Sequence, residues 1–151
     1  MYVLTIITNT MNYIKRKITE YKELQYLAYH DTLTGLLNRN WLYKNITNIK
    51  LKYVYFIDIN NLSTINKKGH TFGDNYINKC VKSIILNKTD VIVRYAGDEF
   101  ILFSNTENKL ETNILFAVGE CEFINNNSIN IADCKMIKSK LLWKSKRGRE
   151  K

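Results

Sequence analysis

The spacing of apolar residues changes several times along the 151-residue chain. Over residues 9–30, Ile14, Ile18, Tyr21, Leu24 and Ala28 recur every three or four positions, with Lys, Arg and Glu between them. That spacing predicts an amphipathic helix. It covers about three heptads, too few for a self-sufficient coiled coil. Ahead of it, V3-LTII-7 reads as a short strand or a packed arm. Residues 31–40, DTLTGLLNRN, break the helix at Thr34-Gly35 and start a second one in a new direction, with Leu36, Leu37, Trp41 and Leu42 as its apolar face.

The period then shortens. KYVYFIDI, residues 52–59, is β-branched and aromatic and predicts a strand. Residues 60–74 are polar with two glycines and read as a loop. A helix is expected over 74–86, with Tyr76, Ile77, Cys80, Val81, Ile84 and Ile85 on its apolar side. Two strands, 91–95 and 100–103, flank A96-GDE-99 as a hairpin. A strand over 114–123 and a helix over 129–143 follow, then a basic tail from Lys144. Alternating strands and helices with one hairpin imply an α/β or α+β sheet covered by helices.

Composition narrows the class. Hydrophobic content of 45% and charged content of 25% describe a globular chain with one core. The apolar run at the start is far shorter than the roughly 20 residues of a membrane span, and it lacks a basic leader. The net charge of +9 favours anionic partners. Cys80, Cys121 and Cys134 are odd in number and widely spaced, so they read as buried free thiols in a reducing cytoplasm.

The candidate chemistry lies in the carboxylates. Asp58 ends one strand, and Asp98 and Glu99 tip the hairpin. If those strands are neighbours, three acids converge and raise one another's pKa. A divalent cation relieves that repulsion, and Mg²⁺ binds through one or two carboxylates plus substrate phosphates. Lys140 and Lys144, four residues apart, share a helix face that suits polyphosphate. Taken alone, "GDE" reads as a turn with a solvated rim.

Four stretches in order change that. D31-TLTGLLNR-39 matches the pattern D-x-L-T-G-L-x-N-R. D58-INNLSTINKKGHTFGD-74 resembles D-I-D-x-F-K-x-I-N-D-x-x-G-H-x-x-G-D. R94-YAGDEF-100 carries the namesake, and A117-VGE-120 with A132-DCKMIKSK-140 echoes the closing pattern. From about residue 24 to 144 the chain resembles the GGDEF domain family of diguanylate cyclases.

The resemblance implies a palm-like α+β fold with a mainly antiparallel central sheet. It implies an input and dimerisation segment over 1–30 and a shortened GGDEF domain over 31–151. The implied activity condenses two GTP into cyclic di-GMP across a homodimer, using two Mg²⁺ (or Mn²⁺) per site. Asp58, Ile59, Asp98 and Glu99 form the implied metal set, with Asp58, Asp98 and Glu99 catalytic. Asn66 and Asp74 would read guanine, whose N1 and N2 donate where adenine does not. Leu62 and Gly97 would border the nucleotide, and Lys140 and Lys144 would hold its terminal phosphates. D31-TLTGLLNR-39 reads as structural, with Asp31 paired to Arg39. His70 reads as a packed loop histidine. The basic stretch at 147–149 reads as solvated, so nucleic acid is not an expected partner.

The chain also departs from the pattern. Asp90 stands where the R-x-x-D product-inhibition motif ends, but Asn87 replaces its arginine, which removes the forked guanidinium. The loop N66-KKGH-70 is one residue short, and Ser63 and Leu62 replace Lys and Phe. The helix expected after the hairpin is missing, so a sheet face is expected to expose apolar surface and seek a partner. No sensor domain is read ahead of the first helix. Two readings therefore stand beside the cyclase: a non-catalytic module that binds GTP or a signalling partner protein, and a cyclase with altered base choice.

Overall fold

The computed structural model describes residues 1–148. Residues 149–151 lie outside the described part, as do the side chains of the stretch at 147–149 weighed against nucleic acid; the expected basic tail from Lys144 continues the last helix as far as Gly148.

Five strands form one sheet in the order β1-β3-β4-β2-β5. They are β1 (Leu37–Asn38), β2 (Tyr53–Ile59), β3 (Val91–Ala96), β4 (Glu99–Ser104) and β5 (Phe116–Glu122). All pairings are antiparallel except β1 with β3. The helices are α1 (Tyr2–Tyr29), α2 (Arg39–Asn45), α3 (Leu62–Asn66), α4 (His70–Ser83) and α5 (Asn127–Gly148). This is the expected mixed fold with a mainly antiparallel sheet.

Side-chain alternation along β2 builds the two faces of the core. Tyr55, Ile57 and Ile59 pack with Leu62, Ile77 and Cys80 of α3 and α4. Val54 and Phe56 pack with Leu42 of α2 and Ala132 and Met136 of α5. Asp58 continues that second row, beneath α5. The helix lies very close to the sheet there. A Cβ on Gly119 would come within 2.0 Å of the Ala132 carbonyl oxygen and 2.2 Å of the Met136 nitrogen.

Several elements differ from expectation. Val3–Ile7 is the first part of α1 rather than a strand, because no breaker precedes Gly35 and nothing interrupts helix propagation. The helix is therefore 28 residues, four heptads rather than three, and it buries none of its side chains. It stops at His30, whose backbone turns extended. The loop expected over 60–74 contains α3 and the first turn of α4. His70 is thus an exposed first-turn residue and not a packed loop histidine. Helix α4 ends at Ser83, so Ile85 lies beyond it and is exposed. Only Cys80 is a buried thiol; Cys121 is half-buried and Cys134 exposed.

The sheet face left by the missing helix is not exposed. No helix lies between β4 and β5, yet Tyr55, Phe100, Leu102 and Phe116 beneath are buried. The segment 105–115 covers them, with Leu110 and Leu115 packed on the cluster. Polar contacts fasten it. Tyr55 Oη lies 2.5 Å from the Thr106 carbonyl and 3.0 Å from Glu120 Oε1, and accepts the Lys109 N–H at 3.1 Å. Burial pushes the Tyr55 phenol well up, so it stays a neutral donor.

Lys109 also reaches Asp90 at 2.7 Å, an ion pair with the carboxylate fully enclosed. Ser104 Oγ and the Asn87 N–H donate to the same carboxylate, each at 2.7 Å. Burial acts to raise Asp90, but Lys109 and these donors prevail and hold it below the usual carboxylate range. A depressed folded pKa contributes stability that is complete above the unfolded value near ~3.9 and is lost as pH falls through the folded value. Asp90→Asn is expected to cost about 2 kcal/mol at pH 7. Thermal melts at pH 7 and at pH 3 check this: the gap to the parent protein should narrow at the lower pH.

Candidate active site

The acids meet because β2 and β4 are neighbours. Asp58 is the direct register partner of Glu99, and the Ile59 N–H donates to the Asp98 carbonyl at 2.9 Å. Directly opposed residues on an antiparallel pair point to the same face, and like charges so placed are destabilising. Burial first, then Asp98 and Asp58, raise the Glu99 carboxyl above its ordinary value. Burial also raises Asp58, with Asp98 adding to it, while Lys140 and Lys144 oppose the shift.

The hairpin tip is Gly97-Asp98, between the paired Ala96 and Glu99. Neither tip residue has positive φ, so the turn is not one of the primed types that match strand twist. The register shift between Arg94 and Ala96 absorbs the mismatch as a bulge. A Cβ on Gly97 would meet nothing within 4 Å, so no neighbour within the chain demands glycine there.

Arg94 fixes the tip. Its Nε and Nη2 donate to the Gly97 carbonyl at 3.1 and 2.7 Å, and its Nη1 to Asp31 Oδ1 and Oδ2 at 2.9 and 3.0 Å. Asp31 is therefore the partner of Arg94 and not of Arg39. Arg39 instead lies over the rings of Tyr95 and Tyr43, at 4.5 and 5.1 Å from their centroids. Burial opposes ionisation of Asp31, but Thr34 and Arg94 outweigh it and lower its pKa. Arg94→Ala is expected to cost about 1–3 kcal/mol and to loosen the tip, read as a lower Tm and faster amide exchange at Asp98 and Glu99. Lysine should not restore it, because one ammonium cannot serve both acceptors as the fork does.

A cleft of about 240 Å³ opens beside the acids, and Ile59, Leu62, Asp98, Lys140 and Lys144 all line it. Five of the residues singled out from the sequence thus share one cavity. The Lys140 Nζ lies 2.6 Å from Asp58 Oδ1. Asn66 and Asp74 lie apart from this cleft, at the junction of α3 and α4. Gly73 brings them together: a Cβ there would come within 1.8 Å of Asn66 Oδ1, so the amide of Asn66 rests against the residue next to Asp74. Asp74 itself is exposed.

Sequence reasoning missed three residues. Arg94 was legible only as part of the motif, because its partner Asp31 is 63 positions away. Asp133 projects from α5 and adds to the field that raises Glu99. Asn60 stands where the family pattern has its second Asp. It donates to the Asn113 carbonyl at 3.0 Å, and its buried Oδ1 has no hydrogen-bond partner among the described residues.

Among the described residues, no three His, Cys, Asp or Glu side chains are gathered tightly enough to hold a metal unaided. The donor set still suits Mg²⁺ or Mn²⁺. It is made of hard oxygens, is under mutual repulsion, and already draws a cation onto Asp58. Such ions complete their shell with water and substrate phosphate.

Comparison with known proteins decides the family. The profile described as "Diguanylate cyclase, GGDEF domain" matches residues 28–130. The chain belongs to the GGDEF domain family. Diguanylate cyclase DgcP of Escherichia coli is 35% identical to this GGDEF chain over 94 residues, which are 54% of the chain and 27% of that protein. Cyclic di-GMP phosphodiesterase NbdA of Pseudomonas aeruginosa is 33% identical over 103 residues, 61% of the chain and 13% of that protein. The chain thus spans less than a third of the length of these relatives. The coiled coil and GGDEF domain of DgcB from Caulobacter crescentus, solved with c-di-GMP, superposes with a TM-score of 0.73 at 15% identity, covering 93% of this chain and 95% of that one. That likeness establishes the fold. No described helix is long and apolar enough to cross a membrane.

Proposed function

We propose that this GGDEF domain is a diguanylate cyclase of the cytoplasm, condensing two GTP into cyclic di-GMP with release of pyrophosphate. The observation that carries the reading is the register pairing of Asp58 with Glu99 beside Asp98, which lines a cleft together with Lys140 and Lys144. Two domains face each other, each holding one GTP. The 3′-hydroxyl of one attacks the α-phosphate of the other, and the same step in the opposite sense closes the ring.

Asp58, Asp98 and Glu99, with the main chain at Ile59, would hold two Mg²⁺ or Mn²⁺. When bound, such ions neutralise phosphate charge and clamp the attacking and leaving oxygens. Glu99, its pKa raised, suits acceptance of the hydroxyl proton. Asp74 and Asn66 accept from the guanine edge. Leu62 and Gly97 border the nucleotide, and Lys140 and Lys144 hold its terminal phosphates. Helix α1 supplies the surface for a second copy: Leu4, Ile7, Met11, Ile14, Ile18 and Tyr21 are exposed and alternate at spacings of three and four, the seam of a coiled coil.

The test is incubation with GTP, ATP and Mg²⁺, followed by mass spectrometry. Cyclic di-GMP supports the reading. Its absence from a folded, dimeric sample overturns it. A second reading, a GTP-binding module without turnover, has one observation in its favour: a relative carrying this domain is named for the opposite reaction. Tight GTP binding with no product would select it. A product containing AMP would instead mark altered base choice at the shortened Asn66–His70 loop.

A further inference from the structure

The Lys140 ammonium sits 2.6 Å from Asp58 Oδ1, and that carboxylate is 8% exposed. Asp58 lies on the sheet face that α5 covers, so the ammonium meets it at a largely enclosed oxygen. Lys140 is 28% exposed and also lines the cleft, together with Lys144, Ser63 and Thr64. Its four-carbon stem can swing between the two places.

We propose that Lys140 is a metal surrogate: in the nucleotide-free protein its ammonium holds the position on Asp58 that a divalent cation takes. The inference rests on the reading of Asp58 as a metal ligand. The ammonium and the ion compete for the same lone pairs, so an ion arriving alone must break a buried ion pair. An ion arriving with a polyphosphate does not face that loss, because the displaced ammonium finds a new anion in the cleft. Metal and nucleotide binding are therefore coupled through one side chain, and by linkage the coupling is reciprocal. The surrogate also lessens the repulsion between Asp58 and Glu99 while no metal is bound. Lys144, one turn on, acts on Asp58 only at longer range.

The experiment measures Mn²⁺ affinity of the full chain by electron paramagnetic resonance, with and without 3′-deoxy-GTP, which lacks the attacking hydroxyl. In the parent protein Mn²⁺ alone should bind at least about tenfold more weakly than with the nucleotide. Lys140→Met should tighten binding of Mn²⁺ alone by about tenfold and lose most of the gain from nucleotide. Lys140→Gln, polar at the same position, should behave alike, and it serves if the methionine variant fails to fold. Lys140→Arg should keep the competition. Equal Mn²⁺ affinity, without nucleotide, in the parent and the Met or Gln variant overturns the proposal. Absence of Mn²⁺ binding even with 3′-deoxy-GTP overturns the metal-site reading beneath it, a separate result.

Discussion

Gly119→Ala is expected to remove a large part of the domain's stability. The added methyl meets backbone on two sides, at 2.0 Å from the Ala132 oxygen and 2.2 Å from the Met136 nitrogen. A side chain could rotate away; backbone in a helix cannot. Relief requires α5 to lift from β5, which removes Ala132 and Met136 from the core they share with Val54 and Phe56. Overpacking of an ordinary core costs about 1–3 kcal/mol. Here the loss of helix docking adds to it, for about 4 kcal/mol or more. Small domains have about 5–15 kcal/mol in total. The measurement is circular dichroism with thermal melting. A variant that melts within a few degrees of the parent would show that α5 docks with slack that the structure does not contain.

Glu99→Gln is expected to act in the opposite direction on stability. It removes a like charge placed directly across from Asp58. Cross-strand pairs are worth about 0.2–1 kcal/mol, so the melting temperature should rise slightly. Turnover of GTP should fall by about 10²–10⁴-fold, the usual worth of a positioned proton acceptor. Gln keeps the shape and loses the charge, so the two readouts separate a functional acid from a structural one. A variant equally active and no more stable would return Glu99 to a solvated rim residue.

Much of this molecule was readable from the chain because its signals are local. The strand over KYVYFIDI and the hairpin at AGDE each follow from a short window, β-branched and aromatic in the first and turn residues between two such runs in the second. The meeting of Asp58 with Glu99 needed one long-range fact, that β2 lies beside β4. What was not readable depends on pairings across long stretches of sequence. Asp31 had two arginines available, and the fold brings Arg94 of β3 to it while Arg39 lies over Tyr95 and Tyr43. Helix α3 is five polar-rich residues, too short for periodicity to show. The start of α1 was misread because β-branched Val3, Ile6 and Ile7 look like a strand in a short window, while the absence of any breaker lets the helix run through them. The cover over β2 and β4 was missed because it is an irregular segment fastened by hydroxyl, carboxylate and amide groups, a mode of closure with no sequence period.

That irregular cover has a consequence for cooperativity. A helix in its place would bury a continuous apolar stripe, and its release would expose enough surface to be coupled to global unfolding. Segment 105–115 has Leu110 and Leu115 as its apolar anchors, and polar contacts do the rest. Its release would still uncover Tyr55, Phe100, Leu102 and Phe116, so its opening is expected to be sensitive to denaturant. The trimmed GGDEF fold thus closes its core with a strap held by polar contacts, on the opposite side of the sheet from Asp58 and Glu99. Asn60, two residues after Asp58, ties that strap to the acid-bearing strand by donating to the Asn113 and Leu115 carbonyls.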